Sequence, residues 1–288
     1  MDSQAGALQP AFVVKKQNAQ KVAGRTVMSD KYKFDQLEVA VKDHIAVVTM
    51  NNPPVNAQSR QLQDELSLAF DIISDDDEVR VAVLTGKGKL FSAGADIKAR
   101  AGIQAQPAGQ RQHLRSARES YHSIVECRKP VICALNGAAL GAGLALVASC
   151  DILVASDDAL LGMPEVDVGL MGGGRHAQRL FGHSRLRRMA LTGYRVPGPE
   201  LYRLGIVEEC VPPDQLMSCA MKYATQIASK APLAVQLFKQ SLNTVEEMSL
   251  RDGYRYEQDM TIQIGKTEDS KEAQRAFAEK RKPVFKGR

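Results

Sequence analysis

The chain has 288 residues, 44% of them hydrophobic, which is enough for a buried core in one or two domains. It contains no Trp, only 5% aromatic residues and a mean hydropathy of −0.24, so its interior must rest on aliphatic packing, which argues against an aromatic platform for single-stranded nucleic acid. A formal charge of +5 and a pI near 8.9 favour an anionic ligand, but Arg187 and Arg188 are set against Asp75, Asp76 and Asp77, and no basic run with interleaved aromatics marks a DNA or RNA surface.

Five cysteines at 127, 133, 150, 210 and 219 form no Cys-x-x-Cys pair, and none is followed by His at zinc-ligand spacing. They read as reduced and mostly buried, in a cytoplasmic setting. No apolar run approaches the ~20 residues of a membrane helix.

In chain order, residues 1–30 lack periodicity and a secretory h-region and read as a disordered tail. Met28 is an alternative start. Lys15, Lys16, Lys21 and Arg25 suggest a transit segment, against which stand Asp2 and the missing amphipathic pattern. Residues 37–41 and 45–50 alternate as two strands joined at Asp43 and His44. Residues 59–73 place Leu62, Leu66, Ala69, Phe70 and Ile73 on one helical face. An apolar strand at 79–85, a Gly-rich loop at 86–95 and a helix at 110–127 follow, with 100–110 read as irregular. A second buried strand at 131–135, a small-residue loop, a helix at 141–149 and a strand at 151–155 complete an α/β core with largely parallel pairing, placed at 31–196. From Gly172 onward the pattern is nearly all helix: 183–191, 199–204, 213–230, 232–247, 249–266 and 267–280. Prolines 197, 199, 213 and 232 stand at or near helix starts. Residues 197–288 read as a helical oligomerisation region, because Val235, Leu237, Phe238 and Leu242 exceed what a small core covers.

Two segments share one design. A buried strand ending at Thr85 runs into Phe91-Ser92-Ala93-Gly94-Ala95-Asp96-Ile97-Lys98, and one ending at Leu135 runs into Asn136-Gly137-Ala138-Ala139-Leu140-Gly141-Ala142-Gly143. Small side chains let a ligand approach the main chain, and N–H groups at a helix start are unpaired and positively polarised. Two such corners together hold an oxyanion. Spacing leaves open the other reading, that Gly and Ala merely allow close helix–strand packing. A dinucleotide fingerprint fails because the third Gly is missing after Gly143, and no Walker, nucleophile-elbow or His-Glu-x-x-His pattern occurs, so no metal is expected. The acid–base candidate is Glu165 in Gly162-Met163-Pro164-Glu165-Val166-Asp167, where apolar neighbours would raise its pKa. A solvated loop carboxylate is the alternative, Asp167 competes on the same segment, and His176 is a candidate helper.

Together these segments resemble the enoyl-CoA hydratase/isomerase (crotonase) family from about Leu37 to the C-terminus. Further marks are Lys129-Pro130-Val131-Ile132, Cys150-Asp151-Ile152, Gln178-Arg179-Leu180, Leu191-Thr192-Gly193 and Phe277-Ala278-Glu279-Lys280-Arg281. The resemblance implies an α/β spiral of ββα units with a C-terminal helical trimerisation region, and a homotrimer or dimer of trimers. It implies an acyl-CoA thioester substrate, with coenzyme A arriving as part of the substrate and no permanently bound cofactor. It assigns the oxyanion-holding N–H groups to Ala95 and Ala142. It lays CoA against Ala93, Ala95, Asp96, Ile97 and Lys98, with Phe277 and Lys280 supplied by a neighbouring subunit. The chain departs from the family's two-glutamate hydratase pattern: Glu165 fills the second position, but Ala145 holds the first. Positions acidic in dienoyl-CoA isomerases correspond to Ala145 and Gly173. A single glutamate fits double-bond isomerisation. Hydration using Glu165 with Asp167 or His176, and acyl-CoA binding without turnover, are the other readings.

Overall fold

A computed structural model describes residues 30–288, so the tail expected at the N-terminus lies outside the described residues apart from Asp30. Strands β1 (Leu37–Lys42) and β2 (Ile45–Met50) form the antiparallel hairpin expected, with Asp43 and His44 at positive φ in the turn. Helix α1 (Arg60–Asp75) is capped by the Ser59 hydroxyl, which accepts from the Leu62 N–H, and buries the apolar stripe read from its spacing.

Three similar turns of chain follow. The first runs β3 (Val81–Gly86), β4 (Leu90–Ser92), α2 (Ile97–Gln104) and α3 (Gly109–Glu126). The second runs β5 (Val131–Leu135), β6 (Ala138–Leu140) and α4 (Ala142–Ser149), and the third β7 (Ile152–Ser156), β8 (Leu160–Gly162), a short 3-10 helix (Pro164–Val168), α5 (Gly174–Ala177) and α6 (His183–Thr192). Then come β9 (Arg195–Pro197), α7 (Gly198–Arg203), β10 (Glu209–Val211) and the helices α8 (Leu216–Ala228), α9 (Pro232–Val245), α10 (Leu250–Gly265) and α11 (Glu268–Ala278).

Each turn contributes a long strand to a six-stranded sheet, ordered β1-β2-β3-β5-β7-β10, and a short strand to a four-stranded sheet, ordered β4-β6-β8-β9. Pairing is parallel except at β1–β2 and β8–β9. This is a spiral of ββα units. Its second sheet was not legible in the sequence, because its three-residue strands are embedded in the Gly- and Ala-rich turns.

The long strands are buried on both faces. Ala82, Leu84, Cys133 and Leu135 join one core with α1, α3 and α4, whereas Val81, Val83, Ile132, Ala134 and Val154 face the other way onto Leu216, Ala220 and Ala224 of α8. The period-two alternation of a strand makes this division. Two expectations are thereby revised. Residues 100–104 of the segment read as irregular belong to helix α2, and the stretch from Gly172, read as nearly all helix, holds the short strands β9 and β10, while α8 supplies one face of the sheet's cover. Among the described residues no helix is long and apolar enough to cross a membrane.

Candidate active site

The short strands end where chemistry was expected: β4, β6 and β8 are neighbouring parallel strands, so the Gly-Ala corners after β4 and β6 and the Pro164 segment after β8 leave the same end of the small sheet. The first corner is held by Ser92, whose hydroxyl donates to the Asn56 carbonyl at 2.7 Å and accepts from the Gly94 N–H at 3.2 Å. A parallel bridge joins Gln58 to Ala95: the Gln58 N–H donates to the Gly94 carbonyl, and the Asp96 N–H to the Gln58 carbonyl. Groups alternate in direction along extended backbone, so the Ala95 N–H points away from Gln58 and has no protein acceptor among the described residues.

The second corner is Gly141, at φ +55° and ψ −114°, with its own N–H donating to the Gly162 carbonyl at 2.9 Å. Only Gly adopts that conformation without strain. It starts α4 so that the Ala142 N–H is one of the helix's first, unpaired donors. The two corners touch: a Cβ on Gly94, itself at φ +95°, would stand 2.5 Å from the Leu140 carbonyl oxygen and 3.5 Å from the Ala142 nitrogen.

Glu165 stands on the 3-10 helix after Pro164, its carbonyl accepting from the Leu170 N–H at 2.8 Å. Its carboxylate lies against the bare Cα of Gly141, where an added Cβ would meet Oε1 at 2.6 Å. Its Oε2 is buried and has no hydrogen-bond partner among the described residues. Burial pushes its carboxyl above the ordinary value of 4.5. Tyr121 of α3 is 9% exposed, and burial and then the charge of Glu165 push its phenol up. The Tyr121 hydroxyl donates to Gln58 Oε1 at 3.4 Å, and its ring meets His176 edge-on at 5.0 Å. Burial and then the charge of His122 push the His176 imidazole below its ordinary value.

A cavity of about 510 Å³ gathers these groups: Ala93, Ala95, Ala142, Ala145, Glu165 and His176 all line it, as do Tyr121, Asp167 and Gly173. Ile97 lines it as well, half of its surface in solvent. Asp96 and Lys98 do not. Asp96 caps α2 instead, its Oδ1 accepting from the Lys98 and Ala99 N–H groups. Phe277, 88% exposed on α11, and Lys280 also lie outside the cavity lining of their own chain. Sequence reading missed the contribution of α1 and α3. Gln63 and Tyr121 line the cavity, and the sole signal was a polar residue within the buried stripe of α1. No group of three or more His, Cys, Asp or Glu side chains stands together to share a metal ion among the described residues.

Residues 40–288 match the family model for enoyl-CoA hydratase/isomerase. The chain belongs to the enoyl-CoA hydratase/isomerase family. A probable mitochondrial enoyl-CoA hydratase of Dictyostelium discoideum is 35% identical over 88% of this chain and 93% of its own. The 2,3-dehydroadipyl-CoA hydratase of Escherichia coli is 33% identical over 88% of this chain and 100% of its own. The crystal structure of an enoyl-CoA hydratase from Bacillus anthracis superposes with a TM-score of 0.83 at 32% identity, covering 88% of this chain and all of that one. This member of the enoyl-CoA hydratase/isomerase family is therefore a crotonase-fold enzyme of acyl-CoA metabolism, of the lyase or isomerase type. Ala145 lines the cavity and is 1% exposed.

Proposed function

We propose that the enzyme shifts a double bond in an enoyl-CoA, with Glu165 as its one acid–base group. The Ala95 and Ala142 N–H groups hold the thioester oxygen as it gains enolate charge. Glu165 removes a proton from the carbon chain and returns it to another carbon of the same conjugated system, so atoms and charge balance without added water. The observation that carries this reading is the buried Glu165 Oε2, in one cavity with two amides and, like them, without a partner among the described residues, while position 145 supplies no second carboxylate. Preorganised main-chain donors of this kind contribute about 3–4 kcal/mol each to the transition state.

Coenzyme A lies along residues 93–98. The Asp96 side chain is engaged as a helix cap, so recognition there falls to the main chain and to Ala93, Ala95, Ile97 and Lys98. Phe277 and Lys280 reach the CoA of a neighbouring copy in a homotrimer or dimer of trimers. The exposed Phe238, Leu242, Ile262 and Phe277 of the C-terminal helices support such an assembly. Five free cysteines fit a reducing, cytoplasmic location.

The test incubates the protein with linear, branched and cyclic enoyl-CoAs in heavy water. Deuterium uptake and a moved double bond are expected, both lost in Glu165→Gln while CoA binding persists. Full activity of that variant ends the proposal. Hydration is the second reading, favoured by the names of the relatives and by Asp167 and His176 lining the cavity. Solvent oxygen appearing in the product selects it.

A further inference from the structure

Strand order β4-β6-β8-β9 in the small sheet lays the groups of the site out in sequence along one end. The Ala95 corner follows β4, the Ala142 corner follows β6, and the Pro164 segment carrying Glu165 follows β8. Strand β9 runs antiparallel to β8 and pairs its first residue, Arg195, with the last residue of β8, Gly162, so Arg195 stands at that same end. Neighbouring strands lie about 4.8 Å apart, which sets Arg195 one strand beyond Glu165 and three strands, about 14 Å, from the Ala95 corner. Leu140, Gly162 and Arg195 are register neighbours across β6, β8 and β9. Gly162 has no side chain, so the Arg195 stem lies over its bare Cα, where an added Cβ would meet Arg195 Cγ at 2.8 Å and Leu140 Cδ2 at 3.2 Å. Leu140 and Arg195 both line the cavity.

An acyl group with its thioester oxygen at the Ala95 and Ala142 amides and its reacting carbons at Glu165 sends its next atoms toward Arg195. That guanidinium makes no hydrogen bond or ion pair among the described residues. Asp167, on the same lining, holds its carboxylate against the bare Cα of Gly193, both oxygens 2.9 Å from where a Cβ would stand, and makes no ion pair with Arg195. Arg118, another cation of the lining, is engaged by Glu119 at 3.2 Å. A guanidinium offers its donors in a planar fork that matches a carboxylate, and such charge-assisted bonds are roughly twice as strong as neutral ones. From this juxtaposition we infer that Arg195 selects an acyl group ending in a carboxylate, the enoyl thioester of a dicarboxylic acid. The inference rests on the proposed acyl-CoA reading of this cavity and names its substrate class.

The experiment compares the mono-CoA thioesters of hexenedioic and octenedioic acids with hexenoyl-CoA and octenoyl-CoA, using the full chain. The expected result is a kcat/KM at least about tenfold higher for one dicarboxylic thioester than for its plain counterpart. Arg195 is exposed, so that ratio is expected to shrink as salt is raised. Arg195→Met keeps a stem over Gly162 and is expected to bring the ratio to about one or below. Arg195→Lys, which keeps the charge and loses the fork, is expected to retain part of it. A ratio near one for both lengths in the unaltered enzyme overturns the inference, and so does a ratio that Arg195→Met leaves in place. Free CoA is titrated in parallel, because its phosphates are the other anions a guanidinium would hold. Equal CoA binding by the unaltered enzyme and Arg195→Met is expected; CoA that weakens as much as the dicarboxylic thioester assigns Arg195 to the phosphates and overturns the inference. The dissociation constants of the saturated dicarboxylic and plain thioesters read Arg195 without catalysis, so loss of the proton-shift reading through an active Glu165→Gln variant is distinguishable from failure of this one.

Discussion

Gly141→Ala tests whether the proximity of Glu165 to the second corner is what makes the site. The new Cβ would stand 2.6 Å from Glu165 Oε1, against 3.4 Å where ordinary contact begins, so the carboxylate must move by about 0.8 Å. The backbone is also held at φ +55° and ψ −114°, where a side chain costs about 1–3 kcal/mol. Relief of that strain turns the adjoining Ala142 N–H away from the cavity. A misplacement of about 1 Å costs ~10²-fold in rate, and loss of one oxyanion donor ~10²–10³-fold. Both arise here from one methyl group, so kcat/KM for the double-bond shift is expected to fall about 10²–10³-fold while CoA itself still binds. The assay is deuterium exchange into the best enoyl-CoA of the panel, run beside a thermal melt that establishes folding. The companion variant Glu165→Asp withdraws the carboxylate, so the double variant should lose much less than the product of the two single losses, as contacting residues do. A folded Gly141→Ala enzyme that turns over like the unaltered one refutes the reasoning.

The remaining expectations follow from the same groups. Burial raises the Glu165 carboxyl, and the base must be ionised, so the rate should climb with pH to an inflection above 4.5 that Glu165→Gln lacks. The same shift bears on stability. The folded pKa exceeds the unfolded one, so the folded state binds more protons between the two values and stability falls as pH rises through that window. Glu165→Gln should therefore raise the melting temperature at pH ~7 and have little effect below the unfolded pKa. Ala145→Glu restores a second carboxylate to the cavity lining and should bring labelled solvent oxygen into product, with a gain of ~10²-fold or more over the unaltered chain. Labelled product unchanged from the unaltered level counts against position 145 as the divide between the two reactions. Lys239, whose ammonium is 2.8 Å from Asp151 and donates to the carbonyls of Ile124 and Lys129, ties α9 to the core. Lys239 is buried while Asp151 keeps access to solvent, so Lys239→Ala chiefly leaves the buried Ile124 and Lys129 carbonyls without their donor and should lower unfolding free energy by about 2 kcal/mol in urea titration. A loss under about 1 kcal/mol would make the pair no more than a surface ion pair.

Periodicity and small-residue turns made the long strands, α1, α3 and the C-terminal helices legible, because these elements bury stripes that repeat along the chain. The second sheet was not, since β4, β6 and β8 are three residues each and their partners come from distant turns of the spiral. Helix α2 escaped because it has a weak apolar stripe and starts from an Asp96 cap inside a segment read as a CoA contact. Phe277 and Lys280 were assigned through resemblance, and one chain does not bring them to its own cavity.

Local chemistry by itself marked two Gly-Ala corners and a carboxylate following Pro164 as candidates, because conformational freedom at Gly and desolvation at Glu are properties of short segments. Only tertiary structure decided that the corners touch, that Glu165 seats on Gly141, and that α1 faces α3 with Gln63 inward. Those distances arise between residues many positions apart, where loop closure and packing of the two sheets fix what local propensity leaves free.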